Sequence, residues 1–364
     1  MKEFDAVIVG GGPAGAATAL ALARGGYSAA IIERSNYHQT RIGETLPPAV
    51  QPLLASLGVW EAFLAQEHSR SFATRSAWGK ADLYDNDFIF NPYGSGWHVD
   101  RLRLDTGLAQ WAEEAGAVVC RNSRLTSCAL ASDARAWQIG VASDECRRSL
   151  RSKFLVDATG RASWLAGKQG ASRVTYDRLI AVTFFCSPAS SNSVTNGSTL
   201  IEAVEEGWWY SAVLPDSRLV LAYMTDADLY SRGQKQSDNY WEQQLQRTTH
   251  TKSRTDNHSF TAGPYIMPAN SSRLDRITGG CWLAAGDAAA AFDPLCGQGI
   301  YRALRSGIRA AGAVDAHLAG KNSSQEYTSE VEQNFRKYMI RRLDYYRRER
   351  RWSGAVFWRR RQNS

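Results

Sequence analysis

The stretch Phe4-Asp-Ala-Val-Ile-Val-Gly-Gly-Gly-Pro-Ala-Gly15 decides the fold. Its first part is a short apolar run rich in β-branched residues that ends in glycine, as a buried parallel strand does. Residues 13–25 are rich in alanine and leucine and read as a helix with Pro13 in its first turn. Residues 28–33, Ser-Ala-Ala-Ile-Ile-Glu, form a second buried strand that ends in an acid. A βαβ unit therefore opens the chain. Gly10, Gly12 and Gly15 take the spacing G-x-G-x-x-G at the turn from strand to helix. Gly10 permits the tight turn, Gly12 lets a pyrophosphate approach the backbone, and Gly15 lets helix and strand pack closely. The helix start supplies amide donors and a partial positive charge, and Glu33 can accept hydrogen bonds from a ribose diol. With strand, helix and acid in register, a dinucleotide is expected on Gly10, Gly12, Pro13, Ala14, Gly15, Glu33 and Arg34.

Outward from this unit, residues 48–66 read as a helix with Leu53, Leu54, Leu57 and Phe63 on one face. Residues 101–115 read as another, 117–120 as a strand, and 124–157 as short strands ending in Phe154-Leu-Val-Asp157. From about 174 to 227 the pattern becomes strand-rich, which suggests a sheet-based second lobe. Residues 281–285 return to the buried-strand style, and helices follow over 298–319 and 324–350. No internal repeat or long linker is evident, so the two lobes are expected to interleave.

The 364 residues are 44% hydrophobic and 22% charged, the make-up of a folded chain with room for two lobes. No apolar run reaches membrane-spanning length, so no membrane span is expected. The start lacks a basic stretch, apolar core and cleavage site in sequence, so no secretory signal is expected. Six cysteines and six histidines are scattered without ligand spacing. That argues against a disulfide scaffold or a metal and fits a reducing cytoplasm. Of the formal charge of +7, residues 336–361 alone carry eleven Lys or Arg against Asp344 and Glu349. The remainder is close to neutral, and the basicity is assigned to the tail rather than the fold. Aromatic residues interleave with these arginines. An acidic partner protein, single-stranded RNA, or arginines covering the apolar body are the alternatives, and no nucleic-acid partner is adopted.

Two further glycine-rich turns follow strands. Gly286-Asp287 presents a carboxylate suited to a sugar or ribitol hydroxyl, with helix capping as the plainer alternative. Asp293-Pro-Leu-Cys-Gly-Gln-Gly299 feeds another helix start, whose positive end suits the negative charge of a reduced flavin. Asp157-Ala-Thr-Gly-Arg161 also follows a strand and says little alone. Together, Gly10–Gly15, Glu33, Asp157–Arg161, Gly286-Asp287 and Asp293–Gly299 resemble the FAD-dependent monooxygenases of the aromatic-hydroxylase fold, in the family's order. The resemblance implies an α/β fold: a Rossmann-like FAD-binding domain interleaved with a mixed β-sheet substrate lobe, plus C-terminal helices. The FAD-binding domain would take residues 1–75, 101–173 and 271–320, and the substrate lobe 76–100 and 174–270. A basic aromatic helical region would take 321–364. FAD would be held non-covalently, with NADH, NADPH or another reductant as transient electron donor and molecular oxygen as co-substrate. No second glycine fingerprint exists for a nicotinamide cofactor.

Gly43-Glu-Thr-Leu-Pro-Pro48 and Gly96-Trp-His-Val-Asp-Arg101 resemble the branch that includes tryptophan halogenases. The resemblance adds Gly43, Glu44 and Arg101 to the cofactor residues, with Arg101 reaching the FAD phosphates. An arginine in a first helical turn is disfavoured by the dipole, which fits a functional role. The halogenase signature Trp-x-Trp-x-Ile-Pro is replaced here by Gly207-Trp-Trp-Tyr-Ser-Ala-Val-Leu-Pro215, and the context of Lys80 does not match a halogenase lysine. Ser76-Ala-Trp-Gly79, Gly207–Ser211 and the Arg-Arg-Trp…Phe-Trp-Arg-Arg tail resemble the flavoproteins that accompany quinone-cofactor amino-acid oxidases, such as glycine and lysine oxidases. That resemblance implies hydroxylation of a tryptophan in a partner oxidase precursor during cysteine tryptophylquinone biogenesis. Cys296, Gly297 and Gln298 would then leave room for oxygen beside the ring. Trp208 and Trp209, with Tyr210, would frame an indole, their alternative being core residues. A small-molecule hydroxylase or halogenase acting on an aromatic is the second reading. A reductase of unsaturated lipids and a non-enzymatic FAD-binding chaperone are the others.

Overall fold

The computed structural model describes residues 2–38, 41–131, 136–144, 146–189, 197–322 and 324–362. The opening βαβ unit forms as the sequence predicts. Lys2–Val9 lies between the parallel strands Ala29–Ile32 and Arg147–Asp157. The sheet continues through Val118–Cys120 on one side and Trp282–Ala284 on the other. Val9 is level with Ile32 and with Asp157, and Asp157 with Ala284. Gly10, Glu33, Ala158 and Ala285 therefore emerge side by side at the carboxyl edge, where open α/β sheets bind ligands. Ser123–Leu130 and Trp137–Ser143 add an antiparallel branch to the long Arg147–Asp157 strand. The central strands carry apolar residues on both faces because helices cover both. Pro13–Arg24 buries Ala16, Ala17, Ala19 and Leu20 and packs on the helix Gly299–Leu318. A Cβ at Gly307 would strike the Ala14 carbonyl and stand 2.9 Å from Ala17 Cβ, so glycine sets how closely the two helices approach.

The second lobe is a seven-stranded sheet in the order His258–Pro268, Leu179–Pro188, Leu219–Asp226, Gly207–Val213, Ser198–Val204, Ala73–Ala77, Tyr84–Asp87. Its pairs are antiparallel except Ser198–Val204 with Ala73–Ala77. Ala73–Ala77 straddles the expected boundary at residue 75 and belongs to this sheet. Ser198–Val204 and Leu219–Asp226 are buried along their whole length, because helices lie on both faces. One face packs on Tyr346, Phe357 and Trp358, the other on Tyr230, Tyr240 and Leu245.

Two expectations are corrected. Residues 48–66 form two helices, Val50–Ser56 and Trp60–Leu64, because Gly58 between them takes φ +63°, a helix-ending conformation. Second, residues 336–361 are not a basic tail apart from the fold. After Ser324–Arg348 the chain turns into a further helix, Val356–Gln362, whose Phe357, Trp358 and Arg361 are buried. Arg342 pairs with Asp177 at 3.1 Å and Asp293 at 3.3 Å, and Arg361 with Asp226 at 2.6 Å. Arg360 reaches Asp226 at 2.7 Å and Asp228 at 2.8 Å. Much of the segment's charge is thus matched inside the protein. Among the described residues no helix is long and apolar enough to cross a membrane.

Candidate functional site

The three glycines of the first turn have different surroundings. Gly10 takes φ +103°, and a Cβ there would strike the Ala158 carbonyl. A Cβ at Gly15 would strike the Gly10 carbonyl. At Gly12 the nearest atom is Arg41 Nη1, 3.7 Å away, so space opens over this residue alone of the three. Gly12 is the N-cap of the Pro13–Arg24 helix, and no side chain caps that helix start. Its first amides thus face open space, the arrangement that receives an anion.

Glu33 is buried and braces the turn. Its Oε2 accepts from the Gly11 amide at 2.6 Å, and its Oε1 accepts from the Ser35 amide at 2.9 Å and hydroxyl at 2.6 Å. Arg34 beside it is exposed. Arg41 links this acid to the next element: Nη2 lies 3.5 Å from Glu33 and Nη1 lies 3.2 Å from Asp105. Arg101 completes the group, with Nη2 3.0 Å from Asp105 and Nη1 donating to the carbonyls of Ile42 at 2.7 Å and Gly43 at 3.1 Å. Arg101 tolerates the first helical turn because Asp100 caps it, accepting from the amides of Leu102 and Arg103. Its position thus has a structural explanation beside the functional one. Sequence reading missed Arg41 and Asp105. Asp105 lies four residues after Arg101, the spacing of a helical ion pair, whereas no local pattern marks Arg41.

The later turns close on the same edge. Gly286 takes φ +61° against Ala14, whose Cβ would stand 2.7 Å from a Cβ placed on Gly286. Asp287 caps no helix; it lines a recess of about 470 Å³ together with Gly286, Gln298 and Pro47. Burial raises its pKa against the opposing pull of Arg161, Arg173 and Arg302, with Arg161 Nε at 3.6 Å. Asp293 is buried, accepting from the Leu295 amide at 3.0 Å and the Tyr346 hydroxyl at 2.7 Å. Gly297, at φ +59°, approaches Thr45, whose Cγ2 is 3.7 Å from a Cβ placed on it. Cys296 is exposed, Gln298 is half-buried, and Gly299 opens the helix that runs to Leu318. Gly12, Gly43–Thr45, Asp287 and Gly297–Gly299 are therefore gathered along one channel edge. Lys80 is exposed.

Between the lobes runs a buried polar chain; Glu44, Thr45 and His98 stand in the Gly43–Pro48 and Gly96–Arg101 motifs and Tyr210 in the Gly207–Pro215 stretch, whereas Thr199 lies in no motif. Glu44 Oε1 accepts from the Gly43 amide at 2.8 Å, and Oε2 lies 3.4 Å from the Tyr210 hydroxyl. Tyr210 meets Thr45 at 2.7 Å, Thr45 meets Thr199 at 3.4 Å, and Thr199 meets His98 Nε2 at 3.0 Å. Burial raises the Glu44 pKa and pushes His98 down to about 4, with Arg254 adding to the latter. Arg254 donates to the carbonyls and hydroxyls of both Ser198 and Ser211. A second cavity of about 270 Å³ is lined by Glu44, Arg41, Arg101, Phe185 and Leu214. Trp208 and Trp209 do not frame it, which corrects that expectation. Consecutive strand residues point to opposite faces. Trp208 goes into the C-terminal helices, donating Nε1 to Tyr346 at 3.1 Å, and Trp209 stacks on Tyr223 with centroids 5.0 Å apart. Both are fully buried. Among the described residues no group of His, Cys, Asp and Glu gathers as metal ligands do.

The residues present fit a dinucleotide: an uncapped helix start, an open glycine, two guanidinium groups and a recessed carboxylate. Comparison with known proteins agrees. LodB of Marinomonas mediterranea, described as an FAD-dependent oxidoreductase, is 28% identical over 99% of this chain and 97% of its own. The myxobacterial chondrochloren halogenase CndH superposes with a TM-score of 0.88 at 22% identity, over 100% of this chain and 86% of that one. QhpG, a peptidyl tryptophan dihydroxylase essential for tryptophylquinone cofactor biogenesis, superposes with a TM-score of 0.79 at 24% identity, over 99% and 79%. The profile described as FAD binding domain matches residues 3–360, through both lobes and the C-terminal helices, and the chain belongs to that family of flavin-dependent enzymes.

Proposed function

We propose that the protein is an FAD-dependent monooxygenase that hydroxylates a tryptophan side chain of a partner oxidase precursor during tryptophylquinone biogenesis. The end-to-end likeness to LodB, over 97% of that protein's length, supports an FAD-dependent oxidoreductase. The observation that carries the finer reading is the fold likeness to QhpG, a peptidyl tryptophan dihydroxylase. The exposure of Lys80 and the departure of Gly207–Pro215 from the Trp-x-Trp-x-Ile-Pro signature weigh against halogenation.

Gly12, the start of the Pro13–Arg24 helix, Arg41 and Arg101 would hold the FAD phosphates. Glu33 would meet the ribose and Asp287 the ribitol hydroxyls. The Gly297–Gly299 turn and the helix start after it would face the ring. FAD, once reduced by NADH, NADPH or another donor, supplies the activation of dioxygen that lets one oxygen atom reach an electron-rich ring. The chain orients that ring, excludes water and handles protons. Glu44, held at a raised pKa beside Tyr210, can keep or accept a proton at Oε2 on the wall of the smaller cavity.

The test is the intact mass of a candidate oxidase precursor after incubation with holoenzyme, reductant and oxygen. The expected result is a gain of one oxygen atom per hydroxylation, lost when the acceptor tryptophan is replaced. An unchanged precursor while oxygen is consumed overturns the reading. The second reading, a small-molecule hydroxylase or halogenase, is favoured by the fold likeness to CndH. A product whose formation requires chloride or bromide would favour its halogenase form.

A further inference from the structure

We propose that the aromatic cluster beneath the C-terminal helices is an electron-transfer chain, which carries stray oxidising equivalents from the flavin end of the cofactor site to the protein surface. The inference rests on the proposed function for its oxidant and for where the ring lies, and on the cluster itself for its path. Three stretches set this sequence beside the tryptophylquinone flavoproteins: Ser76–Gly79, Gly207–Ser211 and the Arg-Arg-Trp…Phe-Trp-Arg-Arg segment. All three meet in one place, where Trp78, Trp208, Trp352 and Trp358 surround Tyr346. None of these rings lines either cavity. Tyr346 stands 5.6 Å from Trp78 and 5.9 Å from Trp358 between ring centroids, and Trp78 stands 5.2 Å from Trp358. Trp352 stacks 6.3 Å from Trp358, and Trp208 lies 6.3 Å from Trp78. Indole and phenol rings give up one electron far more readily than aliphatic side chains or phenylalanine, and rings in contact pass the vacancy on. Volume alone is filled as well by leucine or phenylalanine, without N–H and O–H tips that must each find a partner.

One end of the chain meets the cofactor site at Asp293. Tyr346 donates to Asp293 Oδ2 at 2.7 Å, and the Asp293 amide donates at 2.8 Å to Tyr338, which lines the recess with Asp287 and Gln298. Leu295, in the turn that leads to Gly297, packs on the cluster. At the other end Trp78 and Trp352 are half-buried, whereas Tyr346, Trp208 and Trp358 are fully enclosed. Burial first, and Asp293 after it, hold the Tyr346 phenol well above the ordinary tyrosine value, so the reduced ring keeps its proton. The proton that oxidation releases has a carboxylate oxygen in contact to receive it. The oxidant is the one-electron oxidant left when activated oxygen finds no acceptor ring. Tyr346 gives it one electron and gives the phenolic proton to Asp293. Trp78, or Trp352 acting through Trp358, returns an electron to Tyr346, which recovers its proton. A soluble one-electron donor, ascorbate or a thiol, then reduces the indole at the surface. The net change is one electron moved from that donor to the oxidant, with no side chain altered.

The experiment uses FAD holoenzyme without precursor or nicotinamide. A flash of blue light makes the bound flavin the one-electron oxidant, and transient absorption reads tyrosyl and tryptophanyl radicals with and without ascorbate. The parent should form a tryptophanyl radical whose lifetime ascorbate shortens. The double variant Trp78→Phe, Trp352→Phe removes both half-buried ends, and should keep its FAD and lose the ascorbate response. No such radical in the parent, or an unchanged ascorbate response in the variant, overturns the proposal. A second measurement needs no variant. Parent holoenzyme is turned over with NADH and oxygen, without precursor or ascorbate and with catalase present, and its peptides are weighed. Added oxygen should gather on Trp78 and Trp352, and not on Trp164, which is 36% exposed and outside the cluster. Equal oxidation of Trp164, or none at Trp78 and Trp352, overturns the proposal as well. Precursor hydroxylation is scored apart, by mass. Radicals formed without hydroxylation count against the proposed function alone, and hydroxylation without radicals counts against the chain alone.

Discussion

Asp287, half-exposed at the recess, and His98, fully buried, both lose solvation at a cost, and the cost has opposite signs in pH. The Asp287 pKa is raised by burial, so the folded state holds its proton more tightly than the unfolded state does. Its effect on stability is favourable at low pH and is lost as pH rises through the folded pKa. At neutral pH the ionised group is therefore a burden when FAD is absent. Asp287→Asn should raise the thermal midpoint of the apoprotein while weakening FAD binding, read by calorimetry and by flavin fluorescence. A lower midpoint with unchanged FAD affinity would return Asp287 to a structural role. His98 is the mirror case. Its pKa falls from 6.5 to about 4, so between those values the unfolded chain binds a proton that the native one refuses. Stability should decline as pH falls through that window, by at most about 3 kcal/mol from this residue, at roughly 1.4 kcal/mol per unit. His68, lowered to about 4 by burial, adds to the same slope. Urea unfolding at pH 7, 6 and 5 should show a shallower acid slope for His98→Asn than for the parent; an unchanged slope would mean His98 does not stay neutral on folding.

The helix Val356–Gln362 shows how far a short element can depend on one buried pair. Arg361 is 1% exposed and meets Asp226, also 1% exposed, at 2.6 Å. Removing one partner of such a pair strands the other, typically at 3–5 kcal/mol, although Arg360 at 2.7 Å from the same carboxylate offsets part of it. Arg361→Gln should therefore destabilise by about 2–4 kcal/mol in denaturant unfolding. The triple change Arg348→Gln, Arg350→Gln, Arg359→Gln involves exposed residues and should stay within about 0.5 kcal/mol per site. If the protein modifies a partner, that triple variant should slow modification more at low salt than at high. Equal losses of stability in both variants would refute this division of the arginines. The same element marks where sequence reading stopped. The βαβ unit, the glycine roles and the strand-rich lobe were legible because spacing and periodicity are local. The C-terminal segment was misjudged because charge counting cannot see Asp226, which lies more than a hundred residues away in the chain. Tyr210 and His98 stand in stretches the sequence marked, but their joining through Thr45 and Thr199 was hidden: nothing in a strand says which of Trp208, Trp209 and Tyr210 will face the other lobe.

At the scale of the whole molecule, the two lobes are tied through the C-terminal helices rather than through a linker. Tyr346 is the tie with the most reach. Its hydroxyl accepts from Trp208 Nε1 at 3.1 Å, in the sheet lobe, and donates to Asp293 at 2.7 Å, in the glycine-rich turn that leads to Gly297. Arg342 grips the same carboxylate at 3.3 Å. The Glu44–Tyr210–Thr45–Thr199–His98 chain crosses the interface again. With so many buried partners shared, the protein should unfold in one calorimetric transition, and FAD should raise its midpoint by binding the folded state alone. Tyr346→Phe keeps the ring and leaves both the indole N–H and an Asp293 oxygen short of a partner, a loss of about 1–3 kcal/mol. The single transition should move down by several degrees, roughly 2–4 °C per kcal/mol for a chain of this order. FAD affinity should fall with it, although Tyr346 lines neither cavity, because Asp293 positions the turn at Gly297. Two resolved transitions in the variant, with FAD affinity intact, would mean that the lobes fold independently and that the C-terminal helices merely cover them.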